Sequence, residues 1–343
     1  MNSIKDNNMA LKANIGIRDN SFVQVIKRFS VLLLLIVFIV IASLVSNSFF
    51  TVSNFLNLMQ SYAAPGIIAI GMTFALLSSG TDLSVGSVAA LSGMVSAMML
   101  SQGYPVWICV ALGVLSGALL GTLTGLIIVF FDIAPFIASL ATMVSARGLS
   151  MLTTNGGVIS GLIKMGENGS DGKAFCYLGG GSIQIGPIDF PFAGFTWIIL
   201  TLVAAYILRY TLYGRNLYAI GGNKEAAMLS GIPVKRFETI AWTISGMTAA
   251  YAGVMLTAWL TVAQPTLNEG AELDAIAATV MGGTSLNGGK GSVFGTFAGV
   301  MILAIITNLF NLIGLPSYYQ QIFKGVIIVG AMLLNRFVSQ KEN

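Results

Sequence analysis

"VWICVALGVLSGALLGTLTGLIIVFF", Val106 to Phe131, decides the class of this chain. It holds no charged residue, and at ~1.5 Å rise per residue it is long enough to cross a hydrocarbon core of ~30 Å as one helix. Similar apolar runs recur along the chain, the first at Ser30 to Val45. Of 343 residues, 55% are hydrophobic and 9% are charged. A water-facing domain carries roughly 25% charged residues, so this chain cannot cover a soluble surface. A β-barrel would instead alternate in segments of about ten residues. The expected fold is an all-α polytopic membrane protein.

The apolar periods place about ten transmembrane helices, near 30–46, 63–79, 85–100, 106–131, 135–154, 193–208, 239–260, 272–283, 293–312 and 319–334. The eighth is too short to span alone, so it reads as a re-entrant half-helix or as part of a broken helix. Segments 1–29 and 337–343 flank a transmembrane domain of residues 30–336, within which 209–237 forms a long loop. The 40 glycines exceed the usual share of ~7%, as expected where small residues let membrane helices approach closely.

Loop charge sets the orientation. Residues 1–29 carry Lys5, Lys12, Arg18, Lys27 and Arg28, and 209–236 carries Arg209, Arg215, Lys224, Lys235 and Arg236. The segment 155–191 offsets Lys164 and Lys173 with three acids. The positive-inside rule then puts both termini and the 209–237 loop in the cytoplasm and 155–191 outside. The net charge of +4 follows from these loops and does not indicate nucleic-acid binding.

There is no histidine, which removes His-based triads, metal sites and proton relays. Cys109 in an apolar run and Cys176 in a polar loop are not an expected disulfide pair, and neither suggests a metal or redox site. The outer "CYLGGGSIQIGPIDFPF" suits a short extended or hairpin element. It serves either as a connector or as a landing surface for an external partner.

In the inner loop, "GGNKEAAMLSGIPVKRF" contains a short helix from Lys224 to Ser230, with Asn223 as N-cap and Gly231 as the left-handed residue after its end. A helix this short frays unless it meets a partner surface, or it lies on lipid.

A further phrase occurs twice: "GTDLSVGSV" from Gly80 and "GTSLNGGKGSV" from Gly283. Both read as turn-and-cap phrases that open a helix and mark an internal repeat. Gly80, Gly86, Gly283 and Gly291 loosen the backbone, and Asp82 or Asn287 satisfies free N–H groups. The helix count gives both copies one orientation; a re-entrant eighth helix would invert them. The "GGKGS" within the second copy lacks the spacing of a phosphate-cradling loop, and no G-x-x-x-x-G-K-[ST] occurs anywhere.

"SSGTDLSVGSV", "GGNKEAAMLSGI", "ELDAIAATVMGGTSLNGGKGSVFGT" and "NLIGLPSYYQQIFKGVIIV" resemble the permease subunits of bacterial ABC importers for monosaccharides of the ribose, galactose and xylose type. The resemblance runs from about residue 30 to 336. A related branch carries branched-chain amino acids, so that cargo, or another small polar solute, is an alternative; a stand-alone secondary transporter is the rival mechanism. The resemblance implies a multi-pass protein of the bacterial inner membrane that works beside a second permease subunit, identical or not. It implies ABC ATPase subunits that hold the ATP and Mg, with no cofactor on this chain, and an extracytoplasmic sugar-binding protein. Within it, Asn223, Lys224, Glu225, Ala226, Ala227, Ser230 and Gly231 form the helix that couples to the ATPase. Lys224 and Glu225 fix its register, and the small residues fit a groove.

Polar side chains inside the apolar spans are functional candidates by default. Asp82 either caps the next helix or lines the inner gate. Glu269, Glu272 and Asp274 either complement a helix N-terminus or meet sugar hydroxyls or the binding protein. Gln320 and Lys324 share a helix face beside Tyr318 and Tyr319, which suits a polyol passage or the outer aromatic belt. Asn308 fits a weakly binding passage, and Arg147 reads as interfacial.

Overall fold

The computed structural model describes residues 30–166, 169–323, 325, 326, 329 and 330. Its elements run α1 Ser30–Val45, α2 Val52–Leu77, α3 Val85–Ser101, α4 Val106–Phe131 and α5 Pro135–Leu152. An outer-loop group follows: β1 Ile159–Ser160, α6 Ser170–Gly180, β2 Ser182–Ile185 and β3 Ile188–Pro191. Then come α7 Phe192–Tyr210, α8 Leu212–Gly222, α9 Lys224–Leu229 and α10 Val234–Leu260. The chain continues through β4 Val262–Ala263, α11 Ala271–Met281 and α12 Val293–Leu312. Residues 317–323 are helical.

Among the described residues, six helices are long and apolar enough to cross a membrane, and two more apolar helices are shorter. The polytopic all-α class therefore holds. The count of ten spans would further need α11, whose 11 residues cover only ~16 Å, and the expected last helix near 319–334, which lies partly outside the described residues.

Two boundaries differ from the hydropathy pattern, the first because tertiary contacts satisfy polar side chains. α2 begins at Val52 rather than near 63. Its first turns carry Thr51, Asn54 and Gln60: Thr51 caps the helix by accepting from the Asn54 N–H, Asn54 pairs with Asn308, and Gln60 donates to the Gly179 carbonyl. α10 begins at Val234 rather than near 239, entered directly from Pro233.

α10 is the central post and packs against α2, α3, α4 and α6. Small residues make this possible. Gly113, Gly117, Gly121 and Gly125 form one stripe on α4; a Cβ at Gly121 would overlap the Trp242 carbonyl, and one at Gly253 on α10 would overlap Ala89 of α3. Without an apolar solvent difference to drive helices together, such close van der Waals contact carries the association. The stripe explains why the run Val106–Phe131 is glycine-rich as well as apolar.

The outer loop is ordered by pairing. β2 and β3 form the expected hairpin, with Ile185 opposite Ile188 across Gly186-Pro187. β1 pairs antiparallel with β4, Ile159 opposite Ala263, which ties the loop to the end of α10. α6, which hydropathy did not reveal, buries Phe175 and Cys176 in one cluster with Cys109 of α4; both cysteines are free.

The glycine phrases connect α2 to α3 and α11 to α12, and they meet. The Gly289 N–H donates to the Leu77 carbonyl at 3.1 Å, and the Ser79 hydroxyl donates to the Asn287 carbonyl at 2.9 Å. α2 and α11 thus deliver their C-termini to one face, and the two copies share an orientation.

Candidate functional site

The face where these ends meet also carries α9. The sequence signals for α9 are realised in detail. The Asn223 Oδ1 accepts from the Ala226 N–H at 2.9 Å, Gly231 has φ 82°, and the Ile232 N–H returns to the Ala227 carbonyl at 3.1 Å. Both ends of a six-residue helix are capped, so its shape does not depend on length.

Its faces are sorted differently from the expected pattern. Ala227 is 4% exposed and sits with Ile220, Ile232, Val234 and Phe237. It seats α9 on its own protein and is unavailable to a partner groove. Lys224 stays half exposed but reaches across to the buried Glu238 of α10, forming an ion pair at 2.9 Å. Glu225, Ala226 and Ser230 remain outward-facing beside Met228 and Leu229, the latter 90% exposed. The outward face of α9 is therefore apolar at its tip. Beside it lies a cavity of about 390 Å³ lined by Ser78, Asp132, Asn223, Lys224, Glu238 and Trp242.

α8, absent from the sequence-based helix set, leads into α9. Thr211 caps it by accepting from the Gly214 N–H at 3.3 Å. Gly221 and Gly222 close its last turn. Tyr218 on α8 donates to the Gly291 carbonyl at 2.8 Å, and burial raises its phenol above the ordinary value, which keeps it a donor.

The repeated phrases are one residue out of step at their starts and part further at their ends. The left-handed residue after α2 is Ser79 (φ 65°), just before the first phrase, and after α11 it is Gly283 (φ 88°), the first residue of the second. Gly80 is held by close approach to the Trp242 ring. In the first copy Ser84 occupies the N-cap position, so Gly86 lies within α3 and is not part of a turn. There a side chain would collide with the Asn268 carbonyl and the Glu272 carboxyl. In the second copy the cap is Ser292, which accepts from the Gly295 N–H at 3.0 Å, and not Asn287. Asn287 instead uses its backbone, accepting from Ser79 and donating to the Ser285 hydroxyl at 3.2 Å. The longer second phrase adds the glycines Gly288 and Gly289, which with Gly291 all lie at positive φ.

Asp82 is 1% exposed. Its Oδ1 accepts from the Ser84 N–H at 2.9 Å and the Ser84 hydroxyl at 2.6 Å, and its Oδ2 accepts from the Ser245 hydroxyl at 2.7 Å. It orders the entry into α3 and pins it to α10. Arg147 is not a free interfacial cation: its guanidinium donates to the carbonyls of Pro265 and Leu267, which holds the segment between β4 and α11. Glu272 and Asp274 stand in the first turn of α11, where acids complement the helix dipole. Asn308 exchanges amide hydrogen bonds with Asn54 at 2.8 and 3.1 Å. Gln320 donates to the Asn311 side chain at 2.8 Å and the Leu315 carbonyl at 2.9 Å. Lys324 lies outside the described residues. Among the described residues, no group of three His, Cys, Asp or Glu side chains is placed to hold a metal ion.

Residues 53–332 match the family model described as branched-chain amino acid transport system / permease component. The chain is 41% identical to the ribose import permease of Haemophilus influenzae, over 90% of this chain and 93% of that protein. It is 33% identical to the L-arabinose ABC transporter permease of Azospirillum brasilense, over 92% of this chain and 89% of that one. It is 34% identical to the D-allose transport system permease of Escherichia coli, over 90% and 91%. No solved structure matches the chain.

Proposed function

Because the chain belongs to the permease family of ABC importers, we propose that it forms a membrane-spanning subunit of an ATP-driven importer for a monosaccharide. Relatives covering about nine tenths of its length are named for ribose, arabinose and allose, which favours a sugar over a branched-chain amino acid. The observation that carries the mechanism is α9. It is capped at both ends, seated by Ala227 and the Lys224–Glu238 pair, and left with Met228 and Leu229 exposed.

An exposed apolar tip on a rigid mount is the chemistry of a docking element. In this proposal it engages a separate ATPase that binds ATP and Mg. The basic charge of the 209–236 loop supports a cytoplasmic position for that face, and both termini are proposed to lie on the same side. The β2–β3 hairpin and α6 then face outward, toward a sugar-binding protein that delivers the solute, and a second permease subunit completes the pathway. ATP-driven closure of the ATPase biases the bundle between two arrangements. Asp82 serves as the clamp of the α2–α3 connection beside the pathway. Asn308, Gln320 and Lys324 are proposed to line it, the first two exchanging their amide partners for solute hydroxyls.

The test is reconstitution in liposomes with the ATPase and the external binding protein, using labelled ribose as probe. Accumulation that requires ATP and both partners is the expected result. Concentrative uptake by the chain alone, without ATP, would overturn it.

A further inference from the structure

Three segments that are distant in sequence close on one another beside α9, and they do so through backbone. At Gly221, the penultimate residue of α8, an added Cβ would overlap the Leu77 carbonyl at the end of α2 and the Gly289 N–H. At Gly289 an added Cβ would meet the Gly222 backbone at 2.6 Å, and at Gly288 it would overlap the Ser79 hydroxyl. Two hydrogen bonds lace the same contact, Gly289 N–H to the Leu77 carbonyl and Ser79 hydroxyl to the Asn287 carbonyl. One turn back on α8, Tyr218 donates to the Gly291 carbonyl.

We propose that the loop from Ser285 to Gly291 is a positioning strap that passes displacement of α9 to α2 and α12. The inference rests on the coupling role given to α9 above. Its basis is mechanical. α8 ends at Gly222 and Asn223 caps α9, so no slack residue separates the docking helix from the contact. A side chain between two elements absorbs motion by changing rotamer. Backbone touching backbone at glycine has no such compliance, and close-packed interiors move between discrete arrangements without deforming smoothly. The strap then hands the motion on in two directions. Leu77 is the last residue of α2, and Ser292, directly after Gly291, caps α12. On its other side α9 is tied to α10 by the Lys224–Glu238 side-chain pair, a more compliant link than the backbone contact. This accounts for the length of the second glycine phrase: its additional glycines form the strap, and the first phrase has no counterpart to them.

The experiment compares neighbouring glycines. Gly221→Ala inserts a methyl into the contact, whereas Gly222→Ala points a methyl into open space at the same helix end. Ser79→Ala removes one lacing bond without adding volume and serves if Gly221→Ala folds poorly. In the reconstituted importer, sugar taken up per ATP hydrolysed should fall about tenfold for Gly221→Ala and about threefold for Ser79→Ala, within typical coupling energies, and stay unchanged for Gly222→Ala. Hydrogen exchange on the purified chain should show altered protection of 285–291 and of the α2 C-terminus in Gly221→Ala and, to a smaller extent, in Ser79→Ala, and none in Gly222→Ala. An unchanged ratio in both Gly221→Ala and Ser79→Ala overturns the strap. So does a loss shared equally by Gly222→Ala, or uptake and hydrolysis falling in step with the amount of inserted protein. If the parent importer shows no ATP-driven uptake, the functional reading fails on its own; the exchange result still decides the strap, and unchanged protection rejects it.

Discussion

Replacing Asp82 separates a clamp from a solute contact. The side chain serves three donors: the Ser84 N–H, the Ser84 hydroxyl and the Ser245 hydroxyl. Asp82→Ala removes all three acceptor contacts. The Ser84 backbone N–H is left buried without a partner, at about 1–3 kcal/mol, and each hydroxyl bond contributes about 0.5–1.5 kcal/mol, so the total lies at about 2–6 kcal/mol. The hydroxyls recover part of this by turning to carbonyls of their own helices, which favours the lower half of that range. Asp82→Asn keeps one oxygen for Ser84 and offers an NH2 to the Ser245 hydroxyl, which then accepts. Its cost should stay below about 1 kcal/mol. Ser245→Ala strands the second carboxyl oxygen, at about 1–3 kcal/mol. Denaturant unfolding of the purified variants in detergent gives the stabilities, and uptake in liposomes gives function. If Asp82→Asn matched the parent in stability but lost more than about tenfold in uptake, the carboxyl would be meeting the transported solute and the clamp argument would be wrong. An Asp82→Ala protein as stable as the parent would refute it equally.

Arg147→Ala should release the segment between β4 and α11, costing about 1.5–3 kcal/mol per lost charged hydrogen bond. Faster exchange of amides 264–272 is the check, with Arg147→Lys restoring part of the protection, since both bonds leave one nitrogen that an ammonium can replace only if its shorter reach allows. Gly253→Ala should destabilise by about 1–3 kcal/mol through overpacking against Ala89. Gly148→Ala, with open space around its Cβ, should stay within about 0.5 kcal/mol of the parent by the same unfolding assay. On α9, Leu229→Asp should abolish co-purification of the ATPase while leaving stability unchanged. Ala227→Trp should instead unseat the helix and lower stability. Retained ATPase binding by Leu229→Asp would remove the apolar tip from the docking surface.

The local pattern carried far in the α9 region. Asn223, Gly231 and the residues between them specify a capped helix by themselves, because capping is chemistry among neighbours within one turn. Which face of that helix meets a partner was not readable: Ala227 is small in either setting, and only the packing of Ile220 and Val234 shows that it points inward. The doubled glycine phrase was legible as a pair of turns. Its equivalence failed at Gly86 and Asn287, because the cap is chosen by where each helix starts, and the starts differ by the length of the loop.

Apolar run length alone determined the class. A chain with 55% hydrophobic residues and the run Val106–Phe131 has no soluble solution, and the free energy of moving such runs from water is additive along the chain. The start of α2 was decided by tertiary contacts, since Asn54 and Gln60 look like loop residues until Asn308 and Gly179 supply their hydrogen bonds. The shared face of the two glycine phrases, the pairing of Lys224 with the buried Glu238 and the contact of Gly221 with Leu77 and Gly289 were likewise set only by the fold. Each joins residues far apart in the chain, and a hydrogen bond or close contact across that separation has no periodicity for a sequence to display.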